Sequence, residues 1–140
     1  MNIVKKSRQG TLESQLPTHL VDIIDLVKAQ LGLTRKKSTE KLFFFFLQNM
    51  IADHYNQTTI TRLLNDGLVK GRPIKSITIN SLEVVNLVAK FKAQTKVNST
   101  SDVVRLIILR IYEDLLRRKD QTIIKELIIN EKKGEAIFYA

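Results

Sequence analysis

Two short segments of this sequence carry hydrogen-bonding side chains at every second position. The segments are TLESQL at 11–16 and KSITIN at 75–80, with mostly apolar residues at the alternate positions. Such side chains donate and accept hydrogen bonds, but they do not include a nucleophile next to a general base. They are therefore suited to binding a polar ligand rather than to catalysis. Alternation over six residues predicts a β-strand with one exposed face. The expected exposed residues are Thr11, Glu13 and Gln15 in the first segment and Ser76, Thr78 and Asn80 in the second.

The charge balance indicates a partner with negative charge. The 140 residues include 23 Lys and Arg against 14 Asp and Glu, a net charge of +9. Nucleic acid and an anionic membrane surface both suit this balance. A membrane role is disfavoured because the apolar helices lack a strongly basic opposite face, and the longest apolar run, Leu42–Leu47, is far below the roughly 20 residues that span a bilayer. We therefore expect a cytoplasmic protein without membrane association.

Basic and hydroxyl side chains cluster where helices are expected to begin. A basic turn precedes the second helix of the first half, and three hydroxyl residues are expected at the corresponding turn of the second half. Helix N-termini present free N–H groups that bind phosphate. The expected phosphate-binding residues, which include cations near both strands, are Arg35, Lys36, Lys37, Ser99, Thr100, Ser101, Lys75, Lys5 and Lys6.

An enzymatic role has little support in the sequence. The two histidines, His19 and His54, have no nucleophile or carboxylate cluster near them in the chain. There is no cysteine, no Gly-rich phosphate loop and no pair of residues at metal-ligand spacing. We expect no catalytic residue, no metal site and no cofactor.

Each predicted strand is followed by two predicted helices. In the first half, apolar residues at helical spacing from Leu20 to Leu31 predict a helix with Pro17 at its first position and Gly32 at its end. A second helix contains the apolar run at 42–47, which predicts burial on more than one side.

In the second half, two capping patterns predict the helix starts. Asn80 is followed three residues later by Glu83, and Ser99 is followed by Asp102. A side chain that accepts a bond at the start of a helix, with an acidic residue three positions on, is typical of a helix N-terminus.

The two halves are copies of one unit. The segment VDIIDLVKAQ at 21–30 aligns with VNLVAKFKAQ at 85–94 at a shift of 64 residues, and the strands align at a shift of 63. A unit of about 45 residues buries too little surface to be stable alone. The copies are therefore expected to fold against each other or against copies in a second chain.

The expected fold is mainly α, with two short antiparallel strands over four core helices and a C-terminal helical tail. The strands should pair because a lone strand leaves its backbone groups without partners. The expected boundaries are a basic flexible arm at 1–9, a first unit at 10–54, a linker at 55–72, a second unit at 73–119 and a tail at 120–140. The linker is expected to contain one or two helical turns near 60–64, and the tail a short helix at Thr122–Asn130.

A two-stranded ribbon with a polar face fits the major groove of DNA, where Gln, Asn, Thr and Ser side chains bond to base edges. The sequence thus predicts double-stranded DNA as the partner, although residues that merely face water would give the same strand composition. The free face of this ribbon would carry Thr11, Glu13 and Gln15 opposite Ser76, Thr78 and Asn80.

The same residues resemble a known family. The run Leu16-Pro17-Thr18-His19-Leu20, an amphipathic helix, a polar turn and a second helix resemble the ribbon-helix-helix (Arc/MetJ/CopG) superfamily, as do Ile77–Asn80 and Ser101–Leu106 in the second copy. The resemblance covers residues 10–54 and 73–118. It implies a ribbon inserted in the major groove and a backbone clamp at the N-terminus of each second helix. Carried over by position, the resemblance implies that the base-reading residues are Glu13, Gln15, Ser76, Thr78 and Asn80. Glu13 departs from the basic ribbon residues that are common in the superfamily.

Two units in one chain resemble the TraY-type relaxosome proteins of conjugative plasmids. The preferred interpretation is a transcriptional regulator that represses by occupying its operator. A relaxosome accessory protein at a plasmid transfer origin, with a relaxase as partner, is the alternative, and a protein-interaction adaptor is the second alternative. The ribbon is expected either within one chain, as a monomeric pseudo-dimer, or between the chains of a homodimer.

Overall fold

A computed structural model of the protein describes residues 10–33 and 38–129. The predicted arm at 1–9, the basic turn at 34–37 and the end of the tail at 130–140 lie outside the described residues. The first unit consists of β1 (Thr11–Leu16), α1 (Thr18–Leu31) and α2 (Ser38–Asp53). A connection with α3 (Gln57–Leu64) and a 3₁₀ turn (Gly67–Val69) leads to the second unit. That unit consists of β2 (Lys75–Asn80), α4 (Leu82–Thr95) and α5 (Thr100–Ile111), which continues as a π-helical turn (Tyr112–Arg117) before helix α6 at 121–129.

The described residues confirm a mainly helical fold with one two-stranded antiparallel sheet. β1 and β2 pair within the chain over six residues, from Thr11 opposite Asn80 to Leu16 opposite Lys75. Of the two pairings that the sequence left open, this is the intramolecular one. The inner face of the ribbon buries Leu12, Leu16 and Ile79, because alternate side chains of a strand point to the same face.

Each strand lies against the helices of the other unit. β1 contacts α4 and α5, whereas β2 contacts α1 and α2, and α2 also packs along α4. The buried side chains of both units form one cluster under the ribbon. Because the units are interleaved in this way, neither has a separate core. The largest fully buried side chains of this shared core include Phe43, Phe46, Phe91, Ile107 and Ile108.

The phenylalanine run of α2 is buried on more than one side, as predicted. Phe43 and Phe46 are fully buried, while Phe44 and Phe45 are partly buried. The rings of Phe45 and Phe46 meet edge to face at 5.2 Å between centroids. Because an α-helix has 3.6 residues per turn, four consecutive phenylalanines point to most sides of the helix. Phe43 and Phe46 therefore lie in the core, and Phe44 and Phe45 pack against its margin.

Four of the predicted helix ends can be compared with the structure. Gly32 ends α1 in the left-handed conformation with φ 65°, as expected. Ser99 caps α5 through its Oγ, which accepts a bond from the Asp102 N–H at 3.2 Å. The prediction for Asn80 was wrong by one residue, because Asn80 still pairs in β2 and Ser81 accepts the bond from the Val84 N–H instead. Pro17 likewise stands just before α1, which begins at Thr18.

The segment at 55–72 is more ordered than a simple linker. Asn56 caps α3 by accepting a bond from the Thr59 N–H at 2.8 Å, and the Gln57 side chain donates to the Thr95 carbonyl. Ile60 and Val69 are buried. The connection therefore packs on the two units rather than only joining them.

Candidate nucleic-acid interface

The outer face of the ribbon presents six polar side chains in three cross-strand pairs. The register sets Thr11 beside Asn80, Glu13 beside Thr78, and Gln15 beside Ser76. Neighbours across an antiparallel pair are about 5 Å apart at Cβ, and alternate residues along a strand are about 7 Å apart. All of these residues are exposed except Thr11, which is partly buried. The five predicted base-reading residues therefore share one surface.

The central four side chains of this surface are available to a ligand. Within the described part of the chain, Glu13, Gln15, Ser76 and Thr78 form no side-chain hydrogen bond or ion pair. At the end of the ribbon, by contrast, the Thr11 hydroxyl donates to the Asn80 side-chain oxygen at 3.3 Å. We name Glu13, Gln15, Ser76 and Thr78 the reading face.

The N-terminus of α5 braces one end of the ribbon. Ser101 Oγ donates a hydrogen bond to the Gln15 carbonyl oxygen at 3.2 Å. Ser99 is occupied as the cap of this helix. Of the three predicted phosphate-binding hydroxyls, those of Ser99 and Ser101 therefore already position the helix start and the strand, which leaves the Thr100 hydroxyl and the free N–H groups of the helix as the anion-binding elements.

The N-terminus of α2 braces the opposite end. Glu40 Oε2 accepts a hydrogen bond from the Asn80 backbone N–H at 3.3 Å. Asn80 pairs with Thr11, whereas Gln15 pairs with Ser76, so the two braces lie at different ends of the ribbon. The two second helices thus begin on either side of the reading face.

Two lysines that the sequence analysis did not select reach these helix starts. Lys28 Nζ, from α1, donates to Thr39 Oγ1 at 3.2 Å, and Lys92 Nζ, from α4, donates to Thr100 Oγ1 at 2.6 Å. A cation at a helix N-terminus opposes the helix dipole unless an anion binds there as well. The sequence did contain a signal, because Lys28-Ala29-Gln30 recurs as Lys92-Ala93-Gln94.

The paired lysine contacts redefine which residues of the second helices correspond. Thr39 and Thr100 receive the equivalent lysines, which implies a shift of 61 residues rather than 64. Five buried positions of α2 coincide with buried positions of α5 at this shift, from Leu42 with Val103 to Met50 with Ile111. Lys28 and Thr39 are 11 positions apart, whereas Lys92 and Thr100 are 8 apart, so the chain between these equivalent positions is three residues shorter in the second unit.

Further cations lie near the ribbon or outside the described residues. Lys75 is exposed at the start of β2, and Lys70 and Arg72 are exposed in the segment that leads to it. The described residues contain 15 Lys and Arg against 12 Asp and Glu, a net charge of +3 out of the +9 of the whole chain. The rest includes five predicted phosphate-binding residues that lie outside the described ranges, which are Lys5, Lys6, Arg35, Lys36 and Lys37.

The histidines occupy structural positions. His19 Nε2 lies 2.6 Å from the Leu68 carbonyl oxygen, and since a carbonyl only accepts, Nε2 carries the proton. His54 Nδ1 lies 3.1 Å from the Gln94 side-chain amide. Within residues 10–33 and 38–129, no group of three or more His, Asp or Glu side chains is placed to hold a metal ion, and no helix is long and apolar enough to cross a membrane.

The most perturbed ionisable groups lie at the far end of α5, about 15 Å along the helix from its start. Arg110 bonds to Asp114 at 2.7 Å, to Asp53 at 2.9 Å and to the Tyr55 hydroxyl at 2.7 Å. Burial lowers the pKa of Arg110, but its bonds to Asp114 and Tyr55 outweigh this and raise the pKa above its ordinary value. Burial raises the pKa of Tyr55, and the nearby Arg110 offsets part of that rise. This cluster joins the units and does not face the ribbon.

Comparison with known proteins adds no family assignment. The chain matches no protein-family model, no curated protein and no solved structure. The functional conclusion therefore depends on the geometry of the ribbon and of the helix starts beside it.

Proposed function

We propose that this protein binds double-stranded DNA in a sequence-specific manner, with the reading face in the major groove. The observation that carries the proposal is the intrachain ribbon, whose four central outward side chains have no partner among the described residues. Solvent-facing residues need no such partner, but here they lie between two helix starts that each hold a lysine. In DNA recognition, contacts to the bases determine the sequence that is bound, and contacts to phosphates position the protein on the duplex. Polar side chains with cations on either side fit these two roles.

The dimensions of the ribbon support this placement. The major groove is about 12 Å wide and admits a two-stranded ribbon, where Gln, Glu, Ser and Thr can each bond to base edges. The reading face carries one negative charge, on Glu13, and no positive charge, so attraction to DNA has to come from the cations beside it. Lys28, Lys92 and Lys75 supply part of that attraction, together with the basic residues outside the described ranges.

The biological role that we propose first is a transcriptional repressor that occupies its operator. The resemblance to ribbon-helix-helix proteins supports this role. A relaxosome accessory role at a plasmid transfer origin is the second candidate, and the unequal strands of the ribbon favour it, because a complex without twofold symmetry has a direction along the DNA. The two roles share the DNA chemistry and differ in the protein partner.

Selection of bound sequences from random double-stranded DNA, followed by affinity measurements over a range of salt, tests the proposal on the full chain. We expect an enriched sequence and a logarithm of affinity that falls linearly with the logarithm of salt, by about 0.9 per phosphate contacted. If no sequence is enriched and binding is absent or insensitive to salt, the DNA-binding function is wrong and the adaptor interpretation gains support.

A single substitution on the reading face separates base reading from general attraction. Thr78→Ala removes an exposed hydroxyl that has no partner within the described residues, so folding should be unaffected. We expect a loss of about 1–3 kcal/mol on the enriched sequence and no loss on random DNA. Thr58→Ala, at an exposed position of α3, is the matched control and should change neither affinity. Equal weakening of both DNAs by Thr78→Ala would remove Thr78 from the readers.

A further inference from the structure

The register of the ribbon locates its pseudo-twofold axis. Symmetry-related residues of the two strands are 63 positions apart, and the one directly opposed pair with this separation is Ser14 with Ile77. The axis therefore passes through that pair. From Leu12 to Leu16, each other residue of β1 has its counterpart in β2 on the far side of this point.

The four residues of the reading face are unequal about this axis. Glu13 corresponds to Ser76, and Gln15 corresponds to Thr78. One side of the axis therefore presents the cross-strand pair Glu13 and Thr78, and the other side presents Gln15 and Ser76. On the inner face, Leu16 corresponds to Ile79 and both are fully buried, whereas the buried Leu12 corresponds to the exposed Lys75.

The two long side chains of the reading face have different hydrogen-bonding capacity. An ionised Glu only accepts, and in the major groove the exocyclic N4 amino group of cytosine is the donor that suits it. A Gln side chain both donates and accepts, which suits the N6 and N7 positions of adenine. Glu13 is also the one charged residue of the reading face, and against a base that offers only acceptors it would be repelled.

Resting on the DNA-binding function proposed above, we infer that one chain reads an asymmetric site, with Glu13 accepting from a cytosine N4 amino group on one side of the axis and Gln15 bonding to an adenine on the other. Two residues along a strand span about 6.6 Å, and base pairs are about 3.4 Å apart, so these two bases lie about two base-pair steps from each other. Glu13 contributes to specificity mainly by rejecting other bases, because its charge disfavours DNA wherever the cytosine is missing.

The symmetry of the selected sequence is the first test. The double variant Glu13→Ser with Gln15→Thr gives both strands the same residues at the four reading positions, without adding charge. We expect the wild-type chain to select an asymmetric sequence with the cytosine and the adenine, and the double variant to select a palindrome. Glu13→Gln alone is the control, and it should replace only the cytosine, with adenine. A palindrome selected by the wild-type chain would overturn the inference.

A base analogue tests the cytosine contact directly. The selected DNA is made with a cytosine analogue that lacks the N4 amino group at the assigned position. This change should weaken the wild-type chain roughly 5- to 100-fold and leave the affinity of Glu13→Gln almost unchanged. Equal effects on the two proteins, or none on the wild type, would refute the role of Glu13.

The outcomes distinguish the two levels of the proposal. Absence of any enriched sequence defeats the DNA-binding function itself. Salt-dependent binding to an enriched sequence in which the analogue has no effect defeats only the assignment of Glu13. Circular dichroism of each variant monitors folding, and the exposure of both substituted residues makes loss of the fold unexpected.

Discussion

The two units of this protein use the same elements in the same order, yet they differ where they meet a partner and where they end. Both place a lysine of the first helix on a threonine at the start of the second helix. Both bury the same five positions of the second helix. In contrast, the outward strand residues differ, and only α5 carries an arginine at the position that Asn49 holds in α2, namely Arg110.

The comparison of the two units shows which residue positions stay similar after duplication and which differ. Positions that pack in the shared core have to fit both units at once, because each strand lies on the helices of the other unit. The side chains of the reading face form no hydrogen bond or ion pair within the described residues and can change independently. The end of α5 differs in another way, since Arg110 joins the last residue of α2 and Tyr55 in the turn that follows it to the second unit.

The largest expected effect tests whether the two units are one folding unit. Phe46→Ala in the first unit and Phe91→Ala in the second each remove a fully buried ring from the shared core. We expect each to lower the free energy of unfolding by about 3–5 kcal/mol and to leave a single cooperative transition in chemical denaturation.

Phe44→Ala is the matched control for these variants, because Phe44 is only partly buried. It should cost clearly less than Phe46→Ala. Two separate transitions in either core variant would show that the units fold independently, against the interleaved packing.

The second prediction concerns the bond of Arg110 to Asp114, which only the second unit has. Arg110→Asn installs the residue of the first unit and leaves the buried Asp114 carboxylate without its partner. We expect a loss of roughly 2–4 kcal/mol in the free energy of unfolding, toward the lower end because Arg110 is partly exposed. Asn49→Ala at the corresponding position of α2 should change it by less than about 0.5 kcal/mol. Similar losses in both variants would contradict the asymmetry.

A smaller effect is expected for the lysine that both units place at the start of the second helix. Lys28→Gln and Lys92→Gln each remove an ammonium group from the start of a second helix. If both bind phosphate, each should weaken specific and random DNA alike and reduce the salt slope by about 0.9. Lys125→Gln, exposed on α6, is the control and should leave the slope unchanged. A loss confined to the specific sequence would exclude a phosphate role.

The smallest effect concerns pH. Burial raises the pKa of Tyr55 above its ordinary 10.0, so the unfolded chain loses this proton at lower pH than the folded protein. The resulting stabilisation is complete below the unfolded pKa and is lost as pH rises through it toward the folded pKa. Tyr55→Phe should therefore lose less stability than the wild type between about pH 8 and about pH 11. Unfolding in denaturant at both pH values measures this difference, and Thr58→Ala should keep the wild-type dependence.

Much of the local structure could be predicted because it depends on neighbouring residues. The alternation of polar and apolar residues predicted both strands. Ser99 caps the start of α5 and the left-handed Gly32 ends α1, as expected. The misplaced cap at Asn80 has a physical cause. Both Asn80 and Ser81 can accept a capping bond, and the length of the ribbon decides which of them is still paired as a strand.

The role of the connection at 55–72 could not be read in the same way. Its Gly and polar residues are typical of a linker, but Ile60 and Val69 find apolar surfaces that exist only once both units are assembled. Lys28 and Lys92 were also overlooked, because their significance depends on a threonine eight to eleven residues away in another helix.

The sequence by itself determined the duplicated strand-helix-helix order and the polar character of the outward strand residues, since both follow from residue periodicity. Only the tertiary structure decided that the strands pair within the chain, where the pseudo-twofold axis lies, and which residues face each other across it. Register depends on how the helices of each unit support the opposite strand, and such long-range packing leaves no signal at a fixed spacing along the chain.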